Sequence, residues 1–121
     1  MKKNLCILSI ITFIIFTFPI NPKVEAVKPA VNEQYLQTSF LMLLDPYATK
    51  VINEKVGKDR SYSYFETQIL SITKLEEGGY IVKVLYKTYT GPFNPPYGLE
   101  TITFQIQSGS VKVIGFEHKK G

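Results

Sequence analysis

The chain has 121 residues, of which 45% are hydrophobic and 20% charged, and its formal net charge at pH 7 is +4. That much apolar material supports one folded core and excludes an intrinsically disordered chain. The small, scattered positive charge excludes nucleic acid as a partner, and a single cysteine excludes an internal disulfide framework.

The first 26 residues have the pattern of a secretory signal peptide. Two lysines precede an apolar stretch over residues 5–18, and a small residue, Ala26, stands at the expected cleavage position. The alternative is an uncleaved anchor, but fourteen helical residues span about 21 Å against a hydrocarbon core of about 30 Å. We therefore expect cleavage after Ala26, a secreted or extracytoplasmic location, and membrane contact only through the leader before cleavage. The expected cleavage removes Cys6, the only cysteine, so thiol catalysis and zinc–thiolate sites are excluded for the mature chain.

A helix is predicted to open the folded domain, with Asn32 as its N-cap and an acidic residue in its first turn. Apolar residues then follow at helical spacing, namely Leu36, Phe40, Leu43, Leu44, Tyr47, Val51 and Ile52. Pro46 lacks a backbone donor and clashes with the preceding turn, so we expect the helix to kink or restart there and to end near Gly57. The stretch 40–44 is apolar on more than one side. A sheet is expected to cover one side, and something else, such as a second copy, the other.

Beyond Gly57 the pattern becomes that of β-strands separated by turn residues. The predicted strands cover residues 64–75, 80–87, 99–107 and 111–118. We therefore predict an α+β fold in which an N-terminal kinked helical arm packs on a four-stranded antiparallel meander sheet, cystatin- or NTF2-like in general shape. The predicted organisation is a signal peptide over 1–26, a flexible N-terminal arm over 27–34 and a single domain over 35–121.

The segment 91–98, between the second and third predicted strands, is rich in proline and aromatic residues. Each proline fixes its own φ near −65° and restricts the residue before it, and Pro95–Gly98 fits a type I turn. Such a stiff loop would hold aromatic rings ready for a partner at little entropic cost. The alternative is that the rings fold inward and cap the core. The candidate binding residues are Phe93, Asn94, Pro95, Pro96, Tyr97 and Gly98.

Three stretches of the chain, LLDPYATKVINEKVG, GPFNPPYGLETITF and VIGFEHKK, carry a resemblance. They resemble a family of small secreted proteins from spore-forming Gram-positive bacteria that is known only as a domain of unknown function. The resemblance spans about residues 35–120, and its most distinctive part is Asn-Pro-Pro-Tyr-Gly. It implies a location but no activity. Members of that family commonly have histidine where this chain has Phe93, and this difference argues against acid–base chemistry there.

Residues that could carry catalysis are few. His118 is the only histidine, and its place near the end of the last predicted strand indicates a solvated surface residue. One histidine cannot form a multi-histidine metal site, and we predict no metal site and no cofactor. Glu66 or Glu100 could serve a small extracytoplasmic hydrolase, and for Glu100 this requires a cleft with a second carboxylate about 5–9 Å away. The stretch 105–109 bears a weak similarity to the wedge of cystatin protease inhibitors, although the central valine of that wedge is missing.

The leading hypothesis from the sequence is a secreted, non-enzymatic binding or structural module. Its contact surface would be the loop 91–98, and its partner an unknown protein or a cell-wall ligand. The alternatives are a small hydrolase that uses Glu100 or Glu66, and a protein-inhibitor-like interaction domain. A third hypothesis is a homodimer that buries the open face of the sheet.

Overall fold

The computed structural model describes residues 30–121, so the predicted signal peptide and the start of the predicted arm lie outside the described residues. The elements, in chain order, are helix α1 (Glu33–Lys55), strand β1 (Arg60–Tyr62), a 3-10 turn (Tyr64–Glu66), and strands β2 (Gln68–Lys74), β3 (Tyr80–Thr90), β4 (Asn94–Gln107) and β5 (Ser110–Lys120). The predicted α+β class is confirmed, with one strand more than expected. Within residues 30–121, no helix is both long enough and apolar enough to cross a bilayer.

Helix α1 begins where its capping residue predicts. The side chain of Asn32 accepts hydrogen bonds from the backbone N–H groups of Gln34 and Tyr35, at 2.9 and 3.3 Å. Two of the four N–H groups that lack a partner at the start of a helix are thereby satisfied. The helix consequently takes in Glu33 and Gln34, the last two residues of the segment 27–34.

The helix continues through Pro46 instead of restarting there. Of the two expectations at Pro46, a kink or a restart, the restart is wrong, and the expected single helical arm is present. The Asp45 carboxylate does not cap a new helix, because it has other partners. It accepts hydrogen bonds from the Thr49 hydroxyl, at 3.4 Å, and from the hydroxyl of Tyr62 on β1. Asp45 therefore ties the middle of α1 to the first strand.

Strand β3 lies at the centre of the sheet. The strand order is β1-β3-β4-β5, and β2 pairs with β3 on the same edge as β1. The first predicted strand, 64–75, is therefore wrong in its first residues, because a 3-10 turn separates β1 from β2. Ser63 starts this turn by accepting a hydrogen bond from the Phe65 N–H at 3.3 Å. The other pairings form the predicted antiparallel meander.

The core lies between α1 and one face of the sheet. Its fully or largely buried members are Leu41, Leu44, Ala48, Val51 and Ile52 from the helix, and Val82, Val84, Tyr86, Ile102 and Phe104 from the sheet. The sheet residues alternate along β3 and β4, as a half-buried strand requires. The predicted apolar helix face is only partly right, because Leu36, Leu43 and Tyr47 are exposed.

Candidate binding site at the β3–β4 turn

The connection between β3 and β4 is a turn of three residues, 91–93, so most of the predicted loop belongs to a strand. Gly91 and Phe93 have φ angles of 54° and 62°, in the left-handed region. The Phe93 N–H donates a hydrogen bond to the Gly91 carbonyl at 3.0 Å. The predicted type I turn over Pro95–Gly98 is wrong, because these residues form the start of β4, and the Pro95–Pro96 peptide bond is cis.

Prolines are tolerated in β4 because the ladder is incomplete at that place. Strand β4 pairs with β5 only from Gly98 onwards, after both prolines. Its register with β3 shifts between Thr88 and Thr90. The missing N–H groups of Pro95 and Pro96 therefore break no ladder hydrogen bond. The prolines predicted a stiff loop, but Pro95 and Pro96 lie in a strand.

Strand β1 and the residue before it anchor the turn. Arg60 donates a side-chain hydrogen bond to the Pro96 carbonyl, and Ser61 donates one to the Gly91 carbonyl. The Gly91 N–H donates to the carbonyl of Asp59 at 2.9 Å. These bonds fix the backbone on both sides of Phe93.

Three aromatic rings, which we call the aromatic cluster, meet at this turn: Tyr89, Phe93 and Tyr97. Tyr89 lies between the other two, with centroid distances of 5.0 Å to Phe93 and 5.5 Å to Tyr97 and interplanar angles of 62° and 82°. Edge-to-face pairs of this kind are favourable. Tyr89 is 6% exposed, whereas Phe93 is 65% and Tyr97 39% exposed. Phe93 and Tyr97 thus present aromatic surface to solvent and do not fill the core.

The charged groups around the aromatic cluster already have partners. Tyr89 donates a hydrogen bond to Glu66, which raises the pKa of the Tyr89 hydroxyl above its ordinary value. Lys87 lies 3.6 Å from the Glu66 carboxylate and 5.5 Å from the centroid of the Tyr89 ring. The exposed part of the cluster is therefore apolar, with its neighbouring cation paired.

The other predicted site residues divide into two groups. Asn94, Pro95 and Pro96 are exposed beside the cluster. Gly98, by contrast, is buried. It lies on the core side of the sheet, where a Cβ would overlap an oxygen of Glu100 and lie 2.7 Å from the Thr88 hydroxyl.

Glu100 is fully buried and has two side-chain partners. One of its oxygens accepts a hydrogen bond from the Thr88 hydroxyl at 3.0 Å. Nδ1 of His118 lies 2.7 and 2.9 Å from the two carboxylate oxygens. His118 is exposed, as expected of a surface residue, but the β4–β5 register also places its ring against Glu100, a contact that the sequence did not predict.

The two carboxylates named in the hydrolase hypothesis do not form a pair with each other. Glu66 contacts Tyr89 and Lys87, whereas Glu100 contacts Thr88 and His118. Consecutive strand residues such as Thr88 and Tyr89 face opposite sides of a sheet, so the two carboxylates are on opposite sides. Among residues 30–121, no three histidine, aspartate or glutamate side chains form a group that could hold a metal ion.

A groove of about 710 Å³ lies elsewhere, between the second half of α1 and β5. Val111, Val113 and Phe116 contribute apolar lining from the strand, and Lys50, Glu54 and Lys55 contribute charged groups from the helix. The groove contains one carboxylate and none of the predicted site residues, so it does not restore the hydrolase hypothesis.

Comparison with known proteins gives a family but no activity. Searches of the curated proteins and of the solved structures found no match. A family model described as "Protein of unknown function (DUF3888)" matches residues 36–120, from within α1 to the end of β5. The chain therefore belongs to the DUF3888 family of proteins of unknown function.

Proposed function

We propose that this protein is an exported, non-enzymatic binding module whose contact surface is the aromatic cluster. The main supporting observation is Phe93, whose largely exposed ring is attached to a left-handed backbone with φ of 62°. An L-residue in that region costs roughly 1–2 kcal/mol. Strained residues are concentrated at ligand sites, where the strain holds a side chain in place for contact. An exposed ring kept at such a cost favours a role in contact over one in packing.

The backbone and the rings of the aromatic cluster are also fixed in place by contacts within the protein itself. Arg60 and Ser61 fix the backbone of the turn, and Tyr89 supports the rings of Phe93 and Tyr97 from below. Binding therefore orders few additional groups, and less conformational entropy is lost than with a flexible loop. This agrees with the stiffness expected from the three prolines.

The chemistry of the cluster favours partners with flat or apolar faces. Lys87 is paired with Glu66, and Arg60 is bonded to a backbone carbonyl, so neither is a free cation for an anionic group. Exposed aromatic rings bind through their apolar surface. A sugar ring of a wall polymer and a nonpolar protein side chain both offer such a surface, and the test below separates these two partners.

The test is a retention assay on protein recovered from culture medium, whose N-terminal sequence is expected to begin at Val27. It has two arms, insoluble cell-wall material and immobilised proteins of the culture supernatant. Phe93→Ala and Tyr97→Ala should each lower retention by about tenfold or more in the arm that holds the partner, as for a central aromatic contact. The melting temperature should change by only a few degrees, because neither ring belongs to the core.

Phe65→Ala is the matched control, since Phe65 is 85% exposed and lies outside the cluster. Its retention should equal that of the unchanged protein. Equal losses in all three variants would indicate nonspecific adhesion by aromatic residues and would overturn the proposal. An N-terminal sequence that starts at Met1 would refute the cleaved, exported form.

A further inference from the structure

Strand β5 forms one edge of the sheet. It pairs with β4 on one side, and no strand within residues 30–121 pairs with its other side. The opposite edge consists of two shorter strands, β1 and β2, with three and seven residues, whereas β5 has eleven. An unpaired edge presents a row of backbone N–H and C=O groups that can pair with another strand. The longest such row in the described part of the chain therefore lies along β5.

The groove between α1 and β5, which we call the α1–β5 groove, runs beside this edge. All the residues that line it belong to α1 or to β5, and none comes from the central strands. Val111, Val113 and Phe116 line it from the strand and are each partly exposed. The register shift leaves Ile114 as an extra residue, which places Val113 and Phe116 on the same face of β5. A strand added at this edge would therefore lie next to a row of apolar side chains.

We propose that the β5 edge and the α1–β5 groove together bind an extended, acidic segment of a protein partner, which adds a strand to the sheet. In strand addition the main-chain hydrogen bonds supply affinity, and pockets for alternate side chains supply specificity. Side chains alternate between the two faces of a strand, so every second side chain of the added strand would point into the groove. With about 710 Å³, the groove is in the size range of sites that enclose a drug-sized ligand, and it can hold more than one apolar side chain.

The charges around the groove favour an acidic partner. The exposed charged side chains of β5 and of the second half of α1 are five lysines and two glutamates: Lys50, Lys55, Lys112, Lys119, Lys120, Glu54 and Glu117. Among residues 30–121, none of them takes part in an ion pair. Carboxylates of a partner can therefore approach these lysines without displacing a partner within the chain. Such charges at the rim of an interface mainly set specificity and the rate of association.

Two other occupants of the groove are less well supported. A second copy that paired through its own β5 would bring the same excess of lysines close together, and like charges on neighbouring strands are destabilising. Lysines at a sheet edge protect many natural proteins from pairing with one another in this way. A small amphiphilic molecule could cover the apolar lining, but it would leave the backbone groups of the β5 edge unpaired. An acidic segment in an extended conformation uses the apolar lining, the lysines and the edge together.

Fluorescence anisotropy with a labelled short peptide of alternating valine and glutamate tests the proposal. We expect a dissociation constant on the order of 10–100 µM, because a short peptide buries less surface than a standard protein interface. The same peptide with lysine in place of glutamate should bind about tenfold or more weakly. If the valine–glutamate peptide did not bind at concentrations of about 1 mM, the proposal would be overturned.

Backbone methylation of the peptide tests for strand addition itself. One version carries N-methyl groups on its valines, and the other carries them on its glutamates. The two sets of amides face opposite edges of an extended strand, so only one version loses hydrogen bonds to β5. That version should bind about tenfold or more weakly than the other. Equal affinity of the two versions would indicate an apolar contact without strand pairing, as for a small amphiphile, and would overturn the proposal.

Variants of the protein locate the site. Lys50→Glu should weaken binding of the valine–glutamate peptide by about fivefold or more, because it places an anion in the lining of the groove. Lys83→Glu is the matched control: Lys83 is also exposed but lies on β3 and outside the groove, so its variant should bind as the unchanged protein does. Equal losses in both variants would indicate an effect of net charge alone and would overturn the proposal.

Two further measurements separate this site from other surfaces. Phe93→Ala should leave peptide binding unchanged, since no ring of the aromatic cluster lines the groove. The groove can therefore be confirmed or refuted whatever the fate of the aromatic cluster, whereas a loss in this variant would assign the peptide to the cluster and overturn the proposal. Sedimentation of the protein alone, at up to about 500 µM, should show a monomer. A dimer that the peptide dissociates would assign the β5 edge to a second copy and would also overturn the proposal.

Discussion

Glu66 and Glu100 lie near the same end of the sheet, on opposite faces, and they differ in burial and in their partners. Glu100 is fully buried and bound to Thr88 and His118. Glu66 is partly exposed and bound to Lys87 and Tyr89. The comparison teaches that the polar groups on the core face hold the fold together, whereas those on the outward face support the aromatic cluster. Substitutions on the two faces should therefore affect different measurements.

The largest effect is expected on the core face, from Gly98→Ala. The added methyl group would overlap the buried Glu100 carboxylate, and moving that carboxylate breaks its bonds to Thr88 and His118. Disturbing a buried, hydrogen-bonded charge costs about 3 kcal/mol of unfolding free energy. Urea denaturation measures this loss.

A double-mutant cycle identifies the cause of that loss. Glu100→Ala removes the side chain that the new methyl group meets, so Gly98→Ala should cost much less in that background than alone. Additive losses would show that the strain at position 98 arises elsewhere, and the assumed division between the two faces of the sheet would then fail.

How far the sequence predicts the structure differs between these two faces. The alternation in β3 and β4 and the cap at Asn32 were predicted correctly, because each depends on local pattern. The Glu100–His118 contact depends on the β4–β5 register, which shifts between Thr103 and Phe104, and no local pattern shows that shift. Strand β1 was missed because three residues are too few to show a period of two.

The candidate site was predicted in part, for similar reasons. The prolines indicated a stiff segment, and Phe93 and Tyr97 are exposed. Tyr89 was not singled out because it looks like any other residue of a β-strand. Its contacts with both rings exist only once the turn brings β4 back along β3. The exposure of Leu43 was also hidden, since a run that is apolar on all sides does not tell which side meets the sheet.

The second largest effect concerns alkaline pH and the tyrosines on the core face. Burial, and for Tyr62 also the hydrogen bond to Asp45, raises the pKa of Tyr62 and of Tyr86 well above the ordinary value of 10. The folded protein then holds these protons more tightly than the unfolded chain does. The stabilisation is complete below pH 10 and is lost as the pH rises above it, by up to about 1.4 kcal/mol per pH unit for each group.

Tyr86→Phe sharpens this expectation. The Tyr86 hydroxyl is buried and has no hydrogen-bond partner among the described residues, so its removal should leave the stability at pH 7 unchanged or raise it by about 1 kcal/mol. It should also remove part of the loss above pH 10, as measured by urea denaturation at pH 8 and pH 11. Tyr97→Phe, in the exposed part of the aromatic cluster, is the comparison. An equal reduction of the alkaline loss in both variants would contradict the assignment to the core face.

The smallest effect distinguishes backbone strain from ring contact at Phe93, the most exposed member of the aromatic cluster. Both Phe93→Ala and Phe93→Gly remove the ring and its contact with Tyr89, so the two variants differ only in their backbone preference. Alanine resists the left-handed conformation that glycine adopts freely, so the glycine variant should be more stable by about 1 kcal/mol. At most other positions glycine is the less stable of the two, and the reversed sign is therefore diagnostic. Both variants should lose partner retention equally, since both lack the ring. If the alanine variant proved as stable as the glycine variant, the backbone at position 93 would not be strained, and the strongest support for a contact role of Phe93 would be removed.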